Sequence, residues 1–264
     1  MDILSVIIIV VLAMVAIAVA VLFLFRRRRL ALAPTPVEFT LLSANVGNAS
    51  LWSFMTGFRL RNEDIPVLKY NISKIDPDIV FFQEIAEEGQ VNMLLDPASY
   101  HIHSEDDRGT AVKKSTFCHL EFIPPGTDGR GYSMYAATLA GRKTPVLLVN
   151  VHTERPLKDT SFSIRGGQIR SLLETIRKRD GNNEKIVAAG DFNFDPYRFK
   201  SLFHKMLDAE TEMYKTKDAW NGLFKDFEDT RLRVISSDEI SWELRYQYTL
   251  DHVITNVETA ECRL

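Results

Sequence analysis

Between Ile3 and Phe25 the chain carries no charged side chain and a single hydroxyl, Ser5. Those 23 residues make a helix about 35 Å long at about 1.5 Å per residue, enough to cross a hydrocarbon core. Residues 1–30 are therefore expected to form a transmembrane anchor with an arginine cluster. A cleavable leader places its positive charges before the apolar run and small residues after it. Here only Asp2 precedes the run and Arg26 to Arg29 follow it. Ala31-Leu32-Ala33 imitates a cleavage site, but the arginine block in front of it argues for an uncleaved anchor. Positive flanks stay on the cytoplasmic side, which predicts a single-pass membrane protein with its N-terminus outside and its body in the cytoplasm. Four arginines at this place are expected on topological grounds alone, so they are read as a topology determinant rather than as a recruiter of anionic substrate. Residues 31–36, Ala-Leu-Ala-Pro-Thr-Pro, form a short stiff spacer.

Beyond residue 30 the chain holds 28 basic and 34 acidic side chains, a formal charge of −6. This excludes a generally basic surface for gripping nucleic acid, though not a local basic groove. Cys118 and Cys262 are too few for a secreted disulfide framework. About 228 residues, 37–264, suffice for one substantial core, and one domain is expected.

Within it, short apolar runs alternate with longer stretches of helical period. Strands are predicted over 38–45, 79–84, 109–113, 117–122, 133–139, 145–152, 185–190 and 248–255, and helices over 62–75, ended by Asp76-Pro77, and 161–178. In the second helix Ile164, Gln168, Leu172, Leu173 and Ile176 share a face. The strands between Gly109 and His152 follow one another without a helix, which points to hairpins in a layered α/β protein and away from a doubly wound parallel sheet. Asn45-Val46-Gly47-Asn48 lacks the spacing of a phosphate-binding glycine loop.

Strand after strand ends in a polar residue that its apolar run would deliver to one rim: Asn45, Gln83-Glu84, His152, Asp191-Phe192-Asn193 after Gly190, and Asp251 after Tyr248-Thr249-Leu250. Each has an ordinary explanation by itself. Asn45 can stabilise a turn, Glu84 can begin a helix, His152 can be a satisfied structural histidine, and Asp191 to Asn193 can form a turn helped by Asp195-Pro196. Asp191 and Asn193, two apart, would point to the same side of an extended chain. His101 and His103, beside Glu105, Asp106 and Asp107, invite a metal reading but are read as a solvated strand end and loop.

Taken in order, Asn45, Gln83-Glu84, Val151-His152, Gly190-Asp191-Phe192-Asn193 and Leu250-Asp251 closely resemble the endonuclease/exonuclease/phosphatase superfamily, the deoxyribonuclease-like fold, over about residues 37–256. The resemblance implies a four-layer α/β (α+β) sandwich, two facing mixed sheets flanked by helices. It implies that Glu84, helped by Asn45, holds a divalent cation, Mg²⁺ or Mn²⁺, since oxygen ligands suit a hard ion. It also implies that Asp191 positions or deprotonates the attacking water, that Asn193 holds water and phosphate in line, that His152 donates to a phosphate oxygen, and that Asp251 orients a histidine. Arg165, Gln168 and Asp218-Ala219-Trp220 are family-like with structural roles.

Family members also carry a late Ser-Asp-His, which is not found here. Asp251-His252 resembles the earlier of two late motifs, so the catalytic histidine, its neighbouring Asp and the last core strand are expected to be missing. Incompleteness or reduced activity is favoured over substitution by His252. The leading expectation is a membrane-anchored, metal-dependent phosphodiesterase, most readily of nuclease type; a phospholipid phosphoesterase acting on a sphingomyelin or phosphoinositide headgroup, and a catalytically impaired membrane-bound binding module, are the alternatives. No protein partner is inferred.

Overall fold

The computed structural model describes residues 38–47, 64–85, 88–124, 131–154, 159–182, 184–193, 232–236, 242–243, 247–248 and 251–257. The apolar segment 3–25, Arg26 to Arg29, the spacer 31–36, Asp195-Pro196 and Asp218-Ala219-Trp220 lie outside the described residues. Among the described residues no helix is long and apolar enough to cross a membrane. The chain divides into two compact units, Met1–Glu38 and Phe39–Leu264; all the strands and helices described belong to the second.

Among the described residues, twelve strands and three helices run in the order β1 (Leu41–Asn45), α1 (Ile65–Ile75), β2 (Ile79–Gln83), α2 (Glu88–Leu94), β3 (Tyr100–Glu105), β4 (Arg108–Lys113), β5 (Phe117–Ile123), β6 (Tyr132–Leu139), β7 (Val146–His152), α3 (Asp159–Gly181), β8 (Lys185–Asp191), β9 (Arg233–Ser236), β10 (Trp242–Glu243), β11 (Gln247–Tyr248) and β12 (Asp251–Thr255). One sheet has the order β1-β2-β4-β3 and a second the order β5-β6-β7-β8-β12-β9, with β10 and β11 as a separate pair. Both large sheets are mixed: β1 and β2 are parallel, as are β7 and β8, and the other neighbours are antiparallel.

Strand alternation sorts the apolar side chains into three clusters. Ile79, Phe81 and Val112 of the first sheet meet Tyr135, Val146, Leu148, Val187 and Ala189 of the second, so the sheets face each other. The opposite face of the first sheet, with Val80, Phe82 and Ala111, packs on Ile72 of α1 and on Val91 and Leu94 of α2. The opposite face of the second, with Leu147, Val149, Ile186 and Ala188, packs on Ile169, Leu172, Leu173 and Ile176 of α3. The result is helix, sheet, sheet, helix, the four layers expected.

Several expectations need correction. The 248–255 strand is two elements, β11 and β12, and β12 lies between β8 and β9. Ile164 is 49% exposed, and the buried face of α3 carries Arg165 in its place. His101 and His103 lie in β3, where the His103 ring stacks on Phe122 at 4.8 Å and its Nδ1 lies 3.3 Å from the Tyr135 hydroxyl. That segment was expected to be a solvated strand end and loop; β3 is a half-buried edge strand whose His103 turns toward the second sheet, while Asp106 in the following turn is exposed.

Candidate active site

In the parallel pairs β1-β2 and β7-β8 all four strands end at the same rim, and the space between the sheets changes character along them. The apolar base gives way to a buried polar layer of Gln83, Thr110, Ser133 and Asn150. One step further stand Asn45, Glu84, His152 and Asp191.

Register sets this layer. Asn45 pairs with Gln83 in one sheet and His152 with Asp191 in the other. The Asn45 amide nitrogen spans the gap, donating to Glu84 Oε1 at 3.0 Å and to Asp191 Oδ2 at 2.9 Å, while its oxygen accepts from the Gly47 N–H at 2.9 Å. Glu84 reaches this point by a backbone device. Alternation would send it to the outer face with Val80 and Phe82, but its φ of 58° turns the chain. The carboxylate then comes inward at 1% exposure, and Ile85 takes the outer-face place. A non-glycine residue held there is strained, as is common at functional sites.

Asp191 is fixed from two sides, by Asn45 on Oδ2 and by the Asn193 N–H on Oδ1 at 2.7 Å. The turn it begins is closed by Asn193 at a φ of 46°, a conformation asparagine tolerates. Asn193 donates its amide to the Thr153 carbonyl at 2.9 Å and accepts from Arg165 Nη1 on its own carbonyl. Burial pushes the Arg165 guanidinium down to about 10, opposed by the charge of Asp191. Gly190 makes the approach possible: with φ at 143°, a Cβ there would sit 2.1 Å from the Val151 carbonyl oxygen.

The histidine is oriented by a residue whose sequence context suggested solvent. Asp107, at the two-residue turn between β3 and β4, accepts from His152 Nδ1 on Oδ2 at 2.7 Å. Its Oδ1 lies 3.3 Å from Arg108 Nη1, and its carbonyl accepts from the Ile85 N–H at 3.0 Å. Arg108, also bonded to Ser133 Oγ and Asp106, is buried. Burial would lower the His152 pKa, but the hydrogen bond and charge of Asp107, with the charge of Asp191, outweigh it and raise it. Asp107, pushed up by burial, is held below the ordinary carboxylate value chiefly by His152. With Nδ1 engaged, Nε2 is buried, makes no hydrogen bond and lies 3.7 Å from Glu84 Oε1.

A family model of the Endonuclease/Exonuclease/phosphatase family matches residues 42–259. The chain belongs to this family. No curated protein matches the chain in sequence. Among solved structures it is similar to the AP endonuclease LMAP from Leishmania major (TM-score 0.55, 15% identity, 82% of this chain and 78% of that one). It is also similar to a mannosyl-6-phosphatase from Bacteroides thetaiotaomicron (0.53, 15%, 83% and 85%) and to a humanized TDP2 from D. rerio (0.52, 16%, 82% and 82%). At these identities the likeness is one of fold. Members of the family are phosphoric ester hydrolases.

Of the six residues singled out for this family site, Asn45, Glu84, His152, Asp191 and Asn193 come together. Asp251 stands at the register position opposite Asp191, and its side chain is outside the described ones. His252 sets its ring edge-on to Phe192 at 5.4 Å, and Phe192 belongs to the cluster under α3. That places the ring on the far face of the sheet from His152. Asp107, Arg108 and Asn150 were missed. For Asp107 the available signal was a two-residue Asp106-Asp107 turn between segments of period two.

Among the described residues no group of three or more His, Cys, Asp and Glu side chains could hold a metal. A metal bound by one or two carboxylates that keeps several waters, as Mg²⁺ does, needs no such group. Glu84 Oε1 and Asp191 Oδ2 converge on one amide nitrogen, both residues are buried, and turning the Asn45 amide over would add a third hard oxygen. This donor set fits a hard divalent cation.

Proposed function

We propose that this protein is a divalent-metal-dependent phosphodiesterase, tethered to a membrane by its N-terminal apolar segment with its body on the cytoplasmic side, and acting on a nucleic-acid-type phosphodiester. The observation that carries the catalytic part is the meeting of two buried carboxylates, Glu84 and Asp191, with an imidazole whose Nε2 has no hydrogen-bond partner. The tether rests on the sequence of residues 1–36 alone.

In this reading Glu84, with Asn45, holds Mg²⁺ or Mn²⁺. When bound, the cation polarises a phosphoryl oxygen and screens charge that develops on it. Asp107 holds the Nδ1–H of His152, so Nε2 is the atom that faces substrate. The raised pKa favours the imidazolium, which donates through Nε2 to a phosphate oxygen. Asp191, held by two N–H donors, keeps its carboxylate aimed to orient or deprotonate water. Asn193 has committed amide hydrogen-bonding capacity to Thr153, so its amide oxygen is the group offered to water. Asp251, at the register position opposite Asp191, is the residue read as orienting a histidine.

The similar structures include an endonuclease and a sugar phosphatase, which supports a phosphoric ester without choosing the alcohol. The protein is expected to hydrolyse an activated phosphodiester with Mg²⁺ and to lose this on chelation and with Asp191→Asn. Single-stranded DNA, RNA and mixed liposomes offered side by side decide the substrate. Cleavage of lipid headgroups alone would refute the nucleic-acid assignment, and equal inertness of wild type and Asp191→Asn would refute the enzyme.

A further inference from the structure

Directly beneath the site the sheets are joined by an amide pair. Gln83 Nε2, on the inner face of β2, donates to Asn150 Oδ1, on the inner face of β7, at 2.8 Å, and lies 3.3 Å from Ser43 Oγ on β1. Asn150 Nδ2 in turn lies 3.1 Å from the Phe82 carbonyl, 2.9 Å from the Gly109 carbonyl and 3.2 Å from Thr110 Oγ1. One side chain of the second sheet is thus bonded to β2 and β4 of the first. Both amides are fully buried.

Their place in the register gives the pair its meaning. Gln83 is paired with Asn45 and precedes Glu84; Asn150 lies two residues before His152, which is paired with Asp191. Asn45 and Glu84 are therefore next to one end of this bridge, and His152 stands one same-face step beyond the other end, beside Asp191. Each sheet contributes half of the site, and the apolar contacts below are non-directional. A hydrogen bond of fixed length and angle is what can set the spacing between the halves.

The pair also carries a cost that filler would avoid. Gln83 Oε1 is buried with no hydrogen-bond partner, and apolar residues of similar volume would occupy the same layer without leaving an acceptor unmet.

We propose that Gln83 and Asn150 are positioning residues that hold Glu84 and Asn45 at the correct distance from Asp191 and His152 for a divalent cation to be bound. This rests on the metal-dependent reading above. Residues behind metal ligands typically change metal affinity or activity by about 10- to 100-fold when removed, and the same range is expected here.

The test uses the whole chain in detergent, with Mn²⁺ affinity read by electron paramagnetic resonance and thermal stability read in EDTA. The variants are Gln83→Met, Asn150→Leu and the pair together. Asn256→Leu is the control, because Asn256 is also a buried amide and lies at the opposite end of β8 from Asp191, bonded to Asp180, to the Glu184 carbonyl and to the Ile186 N–H. Gln83→Met and Asn150→Leu should each weaken Mn²⁺ binding about tenfold or more, and the double variant should be little worse than the poorer single one, since the two act as a unit. Asn256→Leu should lower the melting temperature while leaving Mn²⁺ affinity within about twofold of wild type. If Asn150→Leu does not fold, Gln83→Met decides alone, because it leaves the three anchors of Asn150 nitrogen in place. Unchanged Mn²⁺ affinity in Gln83→Met, or a loss in Asn256→Leu that matches its loss of stability, overturns the positioning role and leaves the metal reading standing. A wild type that binds no Mn²⁺ overturns both.

Discussion

Asp107 Oδ2 and His152 Nδ1, 45 residues apart in sequence, lie 2.7 Å from each other across the two sheets. The carboxylate fixes which imidazole nitrogen faces the cavity and favours its protonation. A positioned acid of this kind contributes about 10²- to 10⁴-fold to rate. His152→Gln is expected to reduce kcat by that amount and Asp107→Asn by a part of it. The double variant should be no slower than His152→Gln alone, because Asp107 acts through the ring. A further drop in the double variant would mean that Asp107 touches the reaction by another route.

The same pair makes stability depend on pH with a definite sign. The raised His152 pKa gives stabilisation that is complete below the unfolded value of about 6.5 and fades as pH rises through the folded value. The lowered Asp107 pKa gives stabilisation that is complete above about 3.9 and fades as pH falls through the folded value. The contribution of the pair is therefore greatest between about pH 4 and 6.5. In EDTA, the gap in melting temperature between wild type and Asp107→Asn should be wider at pH 5.5 than at pH 9. Equal gaps would contradict the assignment.

Gly190 should tolerate no side chain. A Cβ would meet the Val151 carbonyl oxygen at 2.1 Å on a backbone with φ at 143°. Strain and overpacking together place Gly190→Ala about 2–5 kcal/mol below wild type in stability. Chemical denaturation measures this, and a loss under about 1 kcal/mol would show that β7 and β8 separate easily at the rim.

The strand ends that carry Asn45, His152 and Asp191 were legible because an apolar run with a terminal polar residue reads the same in sequence and in space. Glu84 was legible only as a strand-end residue. Its inward turn depends on a positive φ that contradicts simple alternation, and nothing local to Gln83-Glu84-Ile85 announces it. Asp107 was misread because two neighbouring acids between polar residues look solvated. Asp106 is indeed exposed, but Asp107 is half-buried because β3 folds back on β4 and because Arg108 and His152 meet its carboxylate. The α3 face was off by one position for a related reason: Ile164 fits the apolar period, but Arg165 is drawn inward by the Asn193 carbonyl and by Asp191. Hydrophobic period predicts where oil goes, and it does not register a buried polar group whose partners are distant in sequence.

The most direct test of the account is titration of Mn²⁺ into wild-type protein and into Glu84→Gln, with hydrolysis of an activated phosphodiester followed in the same samples. Wild type should bind Mn²⁺ and turn over substrate, EDTA should abolish turnover, and Glu84→Gln should lose both. Turnover that survives EDTA, or Mn²⁺ affinity that is the same in Glu84→Gln, would contradict it.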